Sequence, residues 1–352
     1  MERGEKSEKI LEYLRSGIRC GKWAESFLPK ESELALQFNV ARGTVRRALE
    51  HLVSEGVIER KKRLGTKIRN SYQPQKLIGA VLRYGGHFHE DVYAHLQKMA
   101  AASEYRLQAV DVYGFDKPKL RKHIRSGLNA VSALDTDHMI LDGYIFNTLP
   151  MIDKLLKKNP VFFDYIDYRV PKDSTGVFID YYEVGRIGAS YLIAKGCKRP
   201  LMIDCDGPSV CRRFDPEDFS HHRIKMIMDG FSDVLKNNGF DPVLHTYISY
   251  QRKKWLADNL YEIFSYPGSR PDGIFTGSDS SLNQVLTIAK NCGYIPKYYL
   301  GCLNTPWSRG AGGFTFPSIA VSPEQCAEAL LEQVLTPVKS RKNIYIKPYF
   351  EI

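Results

Sequence analysis

From Leu77 onward, short apolar runs alternate with amphipathic stretches, and that alternation leaves few folds open. LIGAVL, RLQAVDV, HMILDGYIF, PVFFD, TGVFI and PLMIDCD each read as a short buried strand. Between them, residues 89–103, 117–128 and 181–196 carry apolar side chains at helical spacing. A second series follows: helix 220–237, strand 244–248, helix 252–264, strand DGIFTG, helix 280–291 and strand YYLGCL. SIAVS, the helix PEQCAEALLEQVL and a closing strand near 343–350 end the chain. Strands apolar on both faces, with helices between them, predict doubly wound parallel sheets of the α/β class. Two such series predict two lobes, with a ligand at the carboxyl ends of the strands in the cleft between them.

The first seventy residues follow another rule. KSEKILEYLRSGIRC places Ile10, Leu11, Leu14 and Ile18 on one helical stripe. KESELALQF gives a second apolar face through Leu34, Ala35 and Phe38, and Asn39 suits its end because Asn tolerates the left-handed conformation. A third helix is expected from about Ala41 to Ser54, with Val45, Ala48, Leu49, Leu52 and Val53 inward and Arg42, Thr44, Arg46 and Arg47 outward. VIERKKRLGTKI then reads as two short strands around Val57-Ile58 and Lys67-Ile68, with Leu64-Gly65-Thr66 near the tip. Two helices, a tight turn and a basic hairpin make a winged helix-turn-helix. Such a helix fills the DNA major groove, where arginine suits guanine, and small residues such as Ala41 and Gly43 let backbone approach phosphate.

Charge supports this division. Residues 1–70 hold 16 Lys and Arg against 10 Asp and Glu, so more than half of the chain's net +10 sits in its first fifth. A basic head on a nearly neutral body points to a polyanion partner for the head alone. No apolar run is long enough to span a membrane, and the charged start lacks a signal-peptide core, so a cytoplasmic location is the default expectation. Seven scattered cysteines with no C-x-x-C argue against a disulfide framework or a zinc ribbon. The polar stretch NSYQPQK reads as a linker. The expected domains are 1–70 (DNA-binding head), 71–76 (linker) and 77–352 (ligand-binding body).

LPKESELALQFNVARGTVRRALEHLVSEGVIERKKRLGTKI resembles the DNA-binding domain of GntR-family bacterial regulators over about residues 6–69. The family pattern is L-P-S-E-R-E-L-A, then V-S-R-G-T-V-R-x-A-L, then a G-T wing. The resemblance implies that Arg42, Gly43, Thr44 and Arg46 contact DNA and that Gly65-Thr66 lies at the wing. Arg47 and Arg63 join them as basic neighbours. Ser32 stands where the family usually has arginine and Ala41 where it has serine, and Arg60, Lys61, Lys62 or Arg63 are the candidates to compensate. The segments IGAVL, LDGYIF, NPVFFDYID, RPDGIFTGSDSSLNQVLTIAKNCGYIP and FPSIAVSPEQCAEALLEQVL, in that order, resemble the LacI/GalR-type effector domain, which is periplasmic-binding-protein-like. The combination resembles regulators of the arabinose-repressor type.

That second resemblance implies a sugar site built on Asp279, Asp180 and Arg223, with Arg212 or Arg213 as other choices for the arginine. Tyr84, Phe88 and His89 follow the first strand, where an aromatic lid is expected; Tyr250, Asn304 and Trp307 lie at other strand ends. HFHEDVYAH has zinc-like spacing in Asp91 and His95, with His87 and His89 before them, but no cysteine assists and no metal or cofactor is expected. His221-His222 reads as a helix start. There is no G-x-S-x-G, H-E-x-x-H, P-loop or G-x-G-x-x-G after a strand, so no enzyme is expected. The expectation is a homodimeric repressor of a carbohydrate operon, released from double-stranded operator DNA by a monosaccharide. The alternatives are a regulator sensing a phosphorylated metabolite and a carbohydrate-active enzyme with a DNA-binding head.

Overall fold

The computed structural model describes residues 2–19, 22–23, 27–61, 65–69, 76–83, 87–112, 118–134, 136, 138–143, 152–164, 173–205, 223–249 and 260–350. It divides into two compact units, Met1–Lys76 and Leu77–Ile352.

In the first unit, α1 (Glu2–Arg19), α2 (Glu31–Gln37) and α3 (Arg42–Ser54) precede the antiparallel pair β1 (Ile58–Lys61) and β2 (Gly65–Ile68). The apolar stripes meet as their spacing requires. Ile10, Leu14 and Ile18 of α1 pack with Leu34 of α2 and with Val45, Ala48, Leu49 and Leu52 of α3. Asn39 ends α2 with a φ of +48°, and Gly56 follows α3 with a φ of +72°. The hairpin is longer than the sequence suggested, pairing Ile58 with Ile68 through to Lys61 with Gly65. Phe27 adds a bridge to Lys67, so the wing gains a short third edge.

The second unit is two parallel α/β lobes. The first sheet has the order β13-β7-β6-β5-β3-β4. Its strands are β3 (Lys76–Leu82), β4 (Tyr105–Asp111), β5 (Met139–Asp142), β6 (Val161–Asp164), β7 (Gly176–Ile179) and β13 (Ile344–Ile346). It carries α4 (His87–Ala101), α5 (Pro118–Ser132), the short α6 (Ile152–Leu156), which the sequence reading did not foresee, and α11 (Pro323–Leu335). The second sheet has the order β12-β11-β10-β8-β9. Its strands are β8 (Pro200–Cys205), β9 (Thr246–Ser249), β10 (Gly273–Phe275), β11 (Tyr298–Cys302) and β12 (Ser318–Ile319). Its helices are α7 (Tyr181–Ala194), α8 (Arg223–Asn237), α9 (described over 260–265) and α10 (Asp279–Asn291).

The described chain passes from the first lobe to the second at Asp180, between β7 and α7, and returns between β12 and α11, where Ala320 bridges Tyr349. One core runs through both lobes, from Ile78 and Phe163 to Phe275 and Leu300. The α7–α8 crossing is close enough that a Cβ on Gly185 would strike the Ile227 carbonyl and one on Gly230 the Tyr182 carbonyl. In both sheets the first strand of the lobe, β3 or β8, has its successors on opposite sides. The carboxyl ends of β3 and β5, and of β8 and β10, are therefore topological switch points, where open α/β sheets leave a crevice for ligands.

Candidate functional site

The head presents a basic face. Arg42, Gly43, Arg46 and Arg47 are exposed on α3, and Thr44 is half-buried. Ala41 is the N-cap of α3 and supplies no side-chain acceptor, which leaves the first-turn amides uncapped by side chains. A Cβ on Gly43 would meet nothing within 4 Å. Packing therefore does not require glycine there, and glycine weakens a helix; the room it leaves opens outward. Gly65, at a φ of +105°, does need to be glycine for the hairpin, and Thr66 follows it half-buried on β2. Glu31 of α2 lies 3.2 Å from Arg46 and 3.2 Å from Arg60, whereas among the described residues Arg42 and Arg47 make no ion pair. Lys61 pairs with Glu59. Lys62 and Arg63 lie outside the described residues.

The body gathers charge at its first switch point. Asp142 closes β5 and Asp164 closes β6, 0% and 1% exposed. Arg83, just past β3, donates its backbone N–H to Asp142 Oδ2 at 3.2 Å, and its guanidinium lies 3.6 Å from Asp164 Oδ2. His89 Nε2 meets that same Asp164 oxygen at 3.2 Å. Tyr181, the first residue of α7, donates to Asp164 Oδ1 at 2.5 Å. Arg223, the first residue of α8, sets its guanidinium 5.5 Å from the Tyr181 ring centroid, in cation–π range. Asp164 holds a φ of +79°, a backbone state that non-glycine residues adopt at a cost. Burial pushes its pKa up, but the hydrogen bond and charge of His89, the charge of Arg83 and the Tyr181 hydroxyl outweigh it and bring it down to about 2. Burial and the Asp164 charge push the Tyr181 phenol well above its usual range. One strand-end edge thus carries fixed carboxylates beside guanidinium and imidazole groups.

The second edge is organised around Asp279. Its N-cap neighbour is Ser278, whose hydroxyl accepts from Ser281 N–H, and Asp279 itself is the fully buried first residue of α10. Its carboxylate accepts from Thr305 N–H at 2.6 Å, Thr305 Oγ1 at 2.9 Å and Ser318 Oγ at 2.6 Å. Burial raises its pKa against the pull of those bonds. Leu303 and Asn304, past β11, take φ values of +84° and +44°. Asn304 is exposed and donates its N–H to Ser318 Oγ; Trp307 is half-buried in the turn that follows.

Residues 6–68 match the family model described as bacterial regulatory proteins, gntR family. The head is a GntR-type DNA-binding domain. A GntR-headed chain is a transcriptional regulator, and the relatives agree. The probable transcriptional regulator PhnF of Escherichia coli (strain K12) is 26% identical over 213 residues, 58% of this chain and 80% of that protein. Two further regulators from Bacillus subtilis (strain 168) are matched over 66% and 30% of their own lengths. The body has the LacI-type, periplasmic-binding-protein-like fold. A LacI transcriptional regulator from a Rhodococcus species superposes with a TM-score of 0.60 at 14% identity, covering 78% of this chain and 96% of that one. A LacI family regulator from Lactobacillus casei with bound glucose gives 0.54 at 15% identity, covering 79% and 98%.

Placed on this GntR-headed regulator, the expected ligand residues separate. His89 and Arg223 join the charged edge. Phe88 does not form a lid: α4 starts at His87, earlier than expected, so Phe88 falls on the stripe with Val92, Leu96 and Ala100 and is buried in the core. Asp180 caps α7, accepting from Glu183 N–H at 3.0 Å. His87 lies 3.7 Å from Glu90 while His89 turns to Asp164, so the two histidines have different partners. Tyr84, Arg212, Arg213, His221, His222 and Tyr250 lie outside the described residues. Arg83, Asp142, Asp164 and Tyr181 were missed. The signal lies in the sequence: MILD, VFFD and VFID are three apolar runs each ending in Asp, of which the family pattern marks only the third.

Proposed function

We propose that this regulator is a homodimeric repressor whose body binds a neutral monosaccharide and whose head releases operator DNA in response. The observation that carries the reading is the edge at the first switch point, where Asp142 and Asp164 stand with Arg83 and His89. Alternating acceptors and forked donors suit adjacent sugar hydroxyls, each of which both gives and accepts a hydrogen bond. Asp164, kept ionised by these partners, holds Arg83 and His89 in place as donors for hydroxyl groups. The glucose carried by the L. casei regulator of the same fold supports a sugar as the class.

In this reading Arg83, His89 and Arg223 hold the sugar from a frame fixed by the buried Asp142 and Asp164, with Asn304 and Trp307 facing it from the second lobe. Asp180 and Asp279 brace the walls. Arg42, Gly43, Thr44, Arg46, Arg47, Arg63, Gly65 and Thr66 face DNA. Each recognition helix reads a half-site, so two copies match a two-fold operator. The sugar lowers operator affinity by as much as it prefers the lobe arrangement that DNA-bound protein disfavours.

The experiment is a thermal-shift screen of the full chain against pentoses, deoxyhexoses, hexoses and their phosphates. A ligand at 100 times its dissociation constant adds about 2.7 kcal/mol, a shift of several degrees. A neutral sugar is expected to give that shift, and Asp164→Asn to abolish it. A response to phosphates alone would replace this reading with that of a phosphometabolite sensor.

A further inference from the structure

Glu31 joins three elements of the head. It opens α2, yet its carboxylate reaches two other elements: Oε2 lies 3.2 Å from Arg46 Nη2 on α3, and Oε1 lies 3.2 Å from Arg60 Nη2 on β1. The arginine side chains are 57% and 39% exposed, and an exposed ion pair adds little to folding stability. The other acidic groups nearby are engaged elsewhere: Glu33 accepts from Lys30 N–H, and Glu59 pairs with Lys61. One carboxylate therefore ties an arginine of the recognition helix to an arginine of the wing, whereas among the described residues Arg42 and Arg47 of that helix are not held in this way.

A negative charge on a surface that meets DNA works against affinity, because it cancels cations that would otherwise displace counterions from phosphate. What the charge supplies is order. A guanidinium with both its position and its fork direction fixed before binding loses less freedom on contact, and it fits a base edge in one register only. A free arginine satisfies any phosphate. We propose that Glu31 is a specificity-determining residue for double-stranded DNA. It orients Arg46 and Arg60 and suppresses their promiscuous pairing with phosphate. The proposal rests on the reading that α3 and the wing face DNA.

The test uses full-length protein. Wild type and Glu31→Gln are each put through selection from a random duplex library. Their affinities for the wild-type-selected duplex and for a scrambled duplex are then measured across a salt series. Glu31→Gln is expected to bind the scrambled duplex roughly threefold to tenfold more tightly, with a salt dependence steeper by about one to two phosphates. It is expected to lose about tenfold in the ratio of specific to non-specific affinity and to select a degenerate motif. Glu31→Asp, too short to span both arginines, is expected to fall between. In an Arg46→Gln, Arg60→Gln background, Glu31→Gln should change the ratio little.

An unchanged ratio and motif would overturn the proposal. So would equal losses of specific and non-specific affinity with a lowered melting temperature, which is the mark of a folding role. An undiminished effect in the double-arginine background would mean that Glu31 acts directly on DNA rather than through the arginines. Failure of the wild type to select any motif would remove the DNA-facing reading itself, and this proposal with it.

Discussion

The Tyr181 hydroxyl donates to Asp164 Oδ1 at 2.5 Å, which joins the end of β6 to the start of α7 at the point where the chain leaves the first lobe. The same carboxylate receives His89 and faces Arg83, so its charge is held by three groups from three segments. Its folded pKa of about 2 lies below the ordinary 3.8, so the unfolded chain binds more protons between those values. The resulting stability is fully present above about pH 4 and is lost as pH falls through the folded pKa. At about 1.4 kcal/mol per pK unit, the contribution is roughly 2–3 kcal/mol. Asp164→Asn is expected to lower stability at pH 7 by about that amount and to flatten the dependence between pH 4 and 2, as read by urea unfolding of the body at a series of pH values.

On the recognition helix, Arg42→Ala and Arg46→Ala should each weaken specific binding by about 1–3 kcal/mol if they read bases. Gly43→Ala separates folding from recognition. Because a Cβ there meets nothing in the protein, the variant should be as stable as wild type or up to about 1 kcal/mol more so. It should nevertheless bind operator more weakly. Stable Gly43→Ala protein with unchanged operator affinity would show that nothing approaches the helix at that point.

Asp279 makes a different prediction, because its bonds run to Thr305 and Ser318. Asp279→Ala strands those donors and should cost about 2–3 kcal/mol. Its raised pKa has the opposite linkage to that of Asp164: the folded state holds the proton more tightly, so this group's contribution declines as pH rises through the ordinary carboxylate range. An Asp279→Ala body that melts like wild type but no longer responds to sugar would return Asp279 to direct ligand contact.

The α7–α8 crossing can be tested by one methyl group. Gly230→Ala drives a Cβ into the Tyr182 carbonyl and should cost about 1–3 kcal/mol. Gly268→Ala, where a Cβ meets nothing within 4 Å, is the matched control and should be near neutral. Equal melting temperatures for the two variants would contradict the close crossing.

Much of this was legible because burial leaves a periodic trace. The stripe Ile10, Leu14, Ile18 and the runs around Ile78, Phe163 and Phe275 announced their elements directly. The charged edge was harder to read. Asp142, Asp164 and Asp180 all follow apolar strands, and only the tertiary structure shows that the third is turned back to cap its own helix while the first two meet Arg83. Phe88 was misplaced for a similar reason: a helix starting two residues early rotates an expected lid residue onto the core stripe. Periodicity records which side of an element is buried. It does not record which distant segment arrives on the other side.

The head's core, from Ile10 through Leu34 and Leu49 to Ile58, is drawn entirely from residues before the body begins. Among the described residues, the buried side chains of the head and those of the body form separate sets. A single recombination event near residue 76 would therefore exchange either core whole. A GntR head on a LacI-type body has the form that such an exchange would leave behind.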